Sequence, residues 1–405
     1  MKKELLILKR KKARELLKEG WSIGKIARYL LTRKNSVIKW IRLSDEELLV
    51  DNRGWRRGKP GKYNLKAKEE IIKIRKELER EDSYFFGGKV VKQNYENATG
   101  KKVSKNFVDR TLREAGIVKS PQKKRKGLSK YMKYPQRTLA KLGKCMMSMD
   151  FIGPKYLKGS NDGISFLSCK YIRPQKHGIV KRVNGQTTEQ TIKILKEIWK
   201  DNPIPDVVKI DNDSAFGTNL SHEKCIGKLA LFFLNLGVTP LYVAPRSPWN
   251  NGENEGFNSV FSKKFWNKLQ FTDEDEIDIK IKDFNIAYEK YSNLISNNPQ
   301  IISENKSIDK FKDNDLENKS INKFKSHIIH FLRIVRRKNE KGSDEEYGFI
   351  DILKQEIKMP TDLINLFVFC TLDVKSKKLT IRSELDNGLL KEVKSIKFEI
   401  ENIKY

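Results

Sequence analysis

The chain has 405 residues, of which 38% are hydrophobic and 33% charged, and its formal charge is +31. That length fits two to four domains with modest cores. Four scattered cysteines (Cys145, Cys169, Cys225, Cys370), no Cys-x-x-Cys pair and four histidines exclude a disulfide framework and a zinc knuckle. The longest apolar stretch, LALFFLNLGV, is too short to span a bilayer, and the basic start lacks the apolar core of a secretory signal. The expected setting is a reducing, cytoplasmic, nucleoid-associated one of bacterial type, with no membrane partner.

The charge is segregated. Residues 1–149 hold 42 Lys+Arg against 16 Asp+Glu, a net of +26, whereas the remaining 256 residues carry +5. A basic half of this kind is the footprint of a polyanion binder, so double-stranded DNA is the expected partner.

In chain order, residues 3–20 have helical spacing and stop at Gly20. Ser22 caps a second helix with Ile23, Ile26, Ala27 and Leu30 on one face, and Val37, Trp40 and Ile41 mark the inner face of a third. With Lys34, Asn35, Lys39 and Arg42 outward, residues 1–48 read as a helix-turn-helix, although its turn carries Leu31 where Gly is common. Residues 49–118 open with RGWRRGKPGKY, whose Arg53, Arg56 and Arg57 suit a phosphate backbone or a minor groove. They continue as a second helix-turn-helix unit. There Ser104 is the N-cap, Val108 and Leu112 face inward, Gly116 is the stop, and Lys105, Asn106, Arg110 and Arg113 face outward. Residues 119–144 form a basic linker.

From 145 the pattern changes. Strands at 146–152, 164–172 and 178–184 lead to a helix at 187–201 and a strand ending at Asp211. A helix near 223–237, a strand at 240–244, a helix opening at Asn251-Gly252 and another at 272–295 follow, so residues 145–295 read as a mixed α/β unit. Residues 296–325 are a polar linker. Residues 326–405 offer short strands with a KSKK hairpin and are expected to close a small β-barrel. The overall class is therefore multidomain: all-α units, an α/β core and a small barrel.

Three acids stand out. Asp150 lies in the apolar run KCMMSMDFIGP, Asp211 ends the run VVKI, and Glu255 opens a helix after Asn251-Gly252. An ionised carboxylate among Met and Phe residues is costly unless a cation compensates it. Three convergent carboxylates would make an all-oxygen site for a hard ion such as Mg²⁺. A pair of such ions suits phosphoryl transfer.

These motifs resemble the Asp-Asp-Glu core of retroviral-type integrases and bacterial insertion-sequence transposases. The likeness rests on Asp150 in its apolar strand, on Asp211-Asn212 with Phe216, and on Pro248-x-x-Asn251-Gly252-x-x-Glu255 with Phe257-Asn258. The resemblance implies an RNase H-like fold with Asp150, Asp211 and Glu255 as catalytic and metal-binding residues. It also implies two Mg²⁺ or Mn²⁺ ions, hydrolysis at an element end followed by DNA strand transfer, and a homo-oligomer on DNA. Lys263 and Lys264, two turns beyond Glu255, become candidate DNA contacts. Two departures stand against the pattern. Asp213 replaces the expected Gly, and 43 residues separate Asp211 from Glu255, with the surplus in GTNLSHEKCIGK. The other readings are a catalytically inactive DNA-binding regulator derived from a transposase, or a metal-dependent nuclease of the same fold.

Overall fold

The computed structural model describes residues 3–49, 63–81, 84–119, 135–211, 216, 223–245, 247, 251–296, 324–339 and 346–404. The chain divides into two compact units, 1–69 and 70–405. Arg53, Arg56, Arg57, Asn212, Asp213, Pro248, most of the basic linker and nearly all of the polar linker lie outside the described residues.

The first unit contains α1 (Lys3–Lys18), α2 (Ile23–Tyr29), α3 (Lys34–Ile41) and α4 (Asp45–Leu49). Leu6, Ala13, Leu16, Ile26, Ala27, Leu30, Val37 and Trp40 form its core. The Ser22 side chain accepts from the Lys25 N–H, which caps α2 as its position suggested. The α2–α3 turn passes through Leu31 at φ +48, the left-handed backbone that Gly would adopt without strain.

The helix α5 (Leu65–Arg80) leads into the second unit, followed by α6 (Gly88–Thr99) and α7 (Lys105–Glu114). Gly100 in the left-handed region ends α6, and Ser104 caps α7 by accepting from the Phe107 N–H. Phe107, Val108, Thr111 and Leu112 fill the buried side of α7. The segment between α5 and α6 is aromatic. The Phe85 ring stacks on Tyr291 at 4.3 Å and Tyr84 meets Phe284 edge-on at 5.4 Å.

After α8 (Gln136–Lys141), an antiparallel meander of β1 (Met146–Tyr156), β2 (Gly163–Arg173) and β3 (His177–Val183) opens the sheet. Next come α9 (Thr188–Asp201), β4 (Val207–Ile210), β5 (Cys225–Gly227), α10 (Lys228–Leu236) and β6 (Thr239–Tyr242). Then follow α11 (Gly252–Phe261), a π turn at Ser262–Trp266, and α12 (Glu274–Ser296). The C-terminal part supplies β7 (Ile328–Ile334), β8 (Arg336–Asn339), β9 (Glu346–Ile352), β10 (Gln355–Met359), β11 (Phe367–Asp373), β12 (Lys378–Glu384), β13 (Leu390–Lys397) and β14 (Asn402–Lys404).

A nine-stranded mixed sheet, ordered β13-β12-β11-β7-β6-β4-β1-β2-β3, organises the described residues of this unit. Strands β1, β4, β6 and β7 run parallel, and antiparallel pairs complete both sides. Both faces are covered, so strands alternate between two cores rather than between core and water. Met147 and Met149 face the α9–α10 side with Trp199, Phe232 and Phe233. Ile152, Phe166 and Val180 face α11 and α12, where Phe257, Phe261, Phe284 and Tyr288 pack.

Residues 326–405 contribute strands, as their pattern suggests, and the pairing shows where these go. Leu241 and Tyr242 of β6 pair with His330 and Phe331 of β7, so β7, β11, β12 and β13 prolong the central sheet. Strands β8, β9 and β10 form a separate three-stranded sheet. The buried Arg333 joins the two by donating to the Val243 carbonyl at 3.1 Å and to the Asp351 carbonyl at 2.7 Å. The surplus after Asp211 is also partly strand. Cys225, Ile226 and Gly227 pair with Asn402, Ile403 and Lys404 of β14.

Candidate active site

Register brings the two aspartates together. The parallel β1–β4 ladder runs from Met146↔Val207 to Met149↔Ile210; the next residues are Asp150 in β1 and Asp211 just past the end of β4. Because side chains alternate along a strand, Asp150 shares the α11 face with Ser148 and Ile152. Phe216 is fully buried and stacks at 4.7 Å on Phe151, the neighbour of Asp150. That contact is a physical role for the Phe of the Asp-Asn motif.

Helix α11 is seated on this face through amides rather than an apolar stripe alone. The Ser148 hydroxyl donates to Asn251 Oδ1. Asn254 Nδ2 donates to Ser168 Oγ at 3.1 Å, and that hydroxyl donates to the Asp150 carbonyl at 3.0 Å. Asn258 Nδ2 donates to Asp150 Oδ2 at 2.9 Å, while the Phe151 N–H donates to Oδ1 at 2.9 Å. The spacing 251, 254, 258 puts the three amides on one helix face. Gly178 makes room for the helix, because a Cβ there would meet the Phe257 ring at 2.7 Å.

Glu255 lies in the first turn of α11 and is exposed, three residues ahead of Asn258. Among the described residues, no three His, Cys, Asp or Glu side chains are grouped closely enough to hold a metal ion. Asn251, Asn254 and Phe257 are the buried residues of this stretch, and Glu255, four residues after Asn251 and three before Asn258, shares their side of the helix at its solvent-exposed edge. What is assembled is an aspartate pair with an amide on one of its carboxylates. The Asn258 Oδ1 atom is buried and has no hydrogen-bond partner among the described residues. Two carboxylates and an orphaned amide oxygen are a donor set that fits a hard cation.

Two lysines lie under the same helix. Lys209, beside Ser148 in the β1–β4 register, is 4% exposed and its ammonium is 3.6 Å from Glu253. Burial holds the Lys209 amine below its ordinary range, while Glu253 acts in the opposite direction. Lys170 donates to the Tyr288 hydroxyl at 2.8 Å and lies 5.4 Å from the Phe257 ring centroid. Burial, with Lys176 nearby, pushes the Lys170 amine down to about 7. Burial and Lys170 in turn push His177 down to about 4.

The remaining candidates divide by exposure. Lys34, Asn35 and Lys39 on α3 and Arg42 at its C-cap are exposed, as are Lys105, Asn106, Arg110 and Arg113 on α7. Lys263 is exposed, but Lys264 is half-buried, with its ammonium 4.4 Å from the Phe86 ring centroid. Sequence reasoning missed Ser148, Ser168 and Asn254 as partners. The recurrence of Asn at 251, 254 and 258 is the signal that could have found them.

Comparison with known proteins gives a narrow result. No family model matches the chain, and no curated protein matches its sequence. Among solved structures, the Mos1 mariner paired end complex with Mn aligns at 12% identity over 71% of this chain and 92% of that one, with a TM-score of 0.29. The simian T-cell lymphotropic virus intasome in complex with the PP2A regulatory subunit B56 gamma aligns at 11% identity, covering 72% and 96%, with a TM-score of 0.33. Scores at this level fall short of establishing a shared fold.

Proposed function

We propose that the chain is a DNA strand-transferring enzyme of the transposase and integrase class, with an Asp-Asp-Glu core of the bacterial insertion-sequence type on an RNase H-like fold. The observation that carries this reading is the pairing of Asp150 and Asp211 at neighbouring parallel strand ends, with Asn258 on the Asp150 carboxylate. Asp150 and Asp211 would hold a divalent cation, and Glu255, one helical turn before Asn258, would complete the set. Bound Mg²⁺ or Mn²⁺ would supply charge stabilisation at the phosphate oxygens and activation of water. In this reading Asn258 and the Phe151 N–H orient Asp150, and the amide ladder of α11 fixes how far Glu255 stands from it.

The exposed basic residues of α3 and α7 would bind element-end DNA, and a homo-oligomer would hold two ends. The exposed position of Glu255 favours a second reading, a DNA-binding regulator whose core is inactive. The test is incubation of the full chain with Mg²⁺ and oligonucleotides from the borders of its own genetic element. Joined products are expected, with Asp150→Asn and Asp211→Asn lowering them by about a thousandfold or more, the scale of losing transition-state charge stabilisation. Nicking without joining would point to a nuclease, and binding without cleavage to the regulator.

A further inference from the structure

Three cations gather around one aromatic ring away from the aspartate pair. The Arg75 guanidinium carbon lies 4.1 Å from the Phe86 ring centroid, the Lys264 ammonium 4.4 Å and the Lys268 ammonium 5.8 Å. Arg75 comes from α5, Phe86 from the aromatic segment before α6, and the two lysines from the turn between α11 and α12. Elements distant in sequence therefore converge on like charges, whose repulsion the Phe86 ring face offsets in part and an anion would offset further.

Among the described residues, Glu79 is a carboxylate paired with the cluster. Arg75 Nη1 donates to Glu79 at 2.8 Å. Arg75 is nevertheless 6% exposed, and its Nε has no hydrogen-bond partner among the described residues. The Lys264 amine is held below its ordinary range by burial first, then by Lys268 and Arg75, with Glu79 acting in the opposite direction. A guanidinium with a spare donor, flanked by ammonium groups on a rigid ring, matches the oxygens of a phosphate. A phosphodiester offers two such oxygens and one negative charge.

We propose that Arg75, Lys264 and Lys268, assembled around Phe86, bind a backbone phosphate of the DNA substrate. The proposal rests on the reading of the chain as a DNA-acting protein and adds a contact that carries no base information. Its location also gives a function to the aromatic segment. Phe85 and Tyr84 anchor the segment on Tyr291 and Phe284, and that anchorage holds Phe86 where α5 and the α11–α12 turn meet.

The experiment titrates full-length protein against a fluorescein-labelled random-sequence duplex and follows anisotropy between about 50 and 200 mM salt. Lys264→Gln with Lys268→Gln is compared with Lys193→Gln with Lys200→Gln, a pair exposed on α9, and a thermal melt checks that both variants fold. The cluster variant should flatten the slope of log affinity against log salt by about 1 to 2 and weaken binding roughly tenfold at low salt, while the α9 variant matches wild type. An unchanged slope in the cluster variant, or equal losses in both, overturns the phosphate site alone. Absence of any binding by the wild-type chain overturns the DNA-acting reading and this site with it.

Discussion

Helices α7 and α11 are similar in length and opposite in construction. In α7 the buried side is Phe107, Val108, Thr111 and Leu112, and the polar residues Lys105, Asn106, Arg110 and Arg113 face water. In α11 the amides of Asn251 and Asn254 are buried, at 4% and 0% exposure, while Glu253 and Glu255 are exposed. A buried amide is costly unless it is bonded; Asn251 Oδ1 accepts from Ser148 on β1 and Asn254 Nδ2 donates to Ser168 on β2, while Asn254 Oδ1 has no hydrogen-bond partner among the described residues. An exposed basic helix can lose one contact and keep most of its affinity. A helix seated by amides on a carboxylate depends on each position, and that dependence marks the candidate site.

The strongest way to break this comparison is to separate the two glutamates of α11. Glu255→Gln is expected to remove DNA cleavage and joining, by about a hundredfold or more, while leaving the melting temperature unchanged. Glu253→Gln should keep activity but lower stability by about 1–2 kcal/mol, because it takes the carboxylate from the buried Lys209 ammonium. That cost exceeds the ~0.3–1 kcal/mol expected from a first-turn charge on the helix dipole alone. Activity and melts on the two purified variants decide it. Loss of activity in Glu253→Gln with retention in Glu255→Gln would reverse the roles.

A second experiment sharpens the comparison through Lys170. Its folded amine titrates near 7 against an ordinary value of 10.5. Between those limits the unfolded chain binds more protons, so stability should rise with pH from about 7 to about 10.5. Below about 7 both states hold the proton, and this contribution is flat. His177, facing Lys170 and held near 4, adds a rise between about 4 and 6.5 by the same sign. Lys170→Met should remove the alkaline rise, worth at most about 1.4 kcal/mol per pH unit. Denaturant midpoints of wild type and variant at pH 7 and 9 measure it. A variant that keeps the wild-type slope would show that Lys170 is charged in the folded state.

The smallest expected effect lies in the first unit, where local geometry rather than buried polarity is at issue. Leu31 is 87% exposed at φ +48, so its side chain contributes little packing while its backbone is strained. Leu31→Gly should stabilise the protein by about 0.5 kcal/mol, since the left-handed cost of roughly 1–2 kcal/mol is partly offset by the added freedom of Gly when unfolded. A lowered melting temperature would mean that the Leu31 side chain packs on something after all.

Much of this was legible in the linear sequence because it depends on neighbours a few residues apart. The caps Ser22 and Ser104, the left-handed stop at Gly116 and the inward residues of α3 and α7 all follow from short-range hydrogen bonding and helical period. The strands carrying Asp150 and Asp211 were equally plain, as apolar runs. Tertiary structure decided the rest, because it turns on pairings that no local pattern encodes. Only the β1–β4 register makes the two aspartates neighbours, and only the α11 seat shows that Asn258 donates to the Asp150 carboxylate. The β6–β7 pairing joins the C-terminal strands to the central sheet, although their alternation would suit a barrel as well. The cations around Phe86 come from segments nearly two hundred residues apart in the chain. Hydrogen bonds and side-chain periodicity act over a turn or a strand, whereas register, burial and charge clustering are properties of what the fold brings into contact.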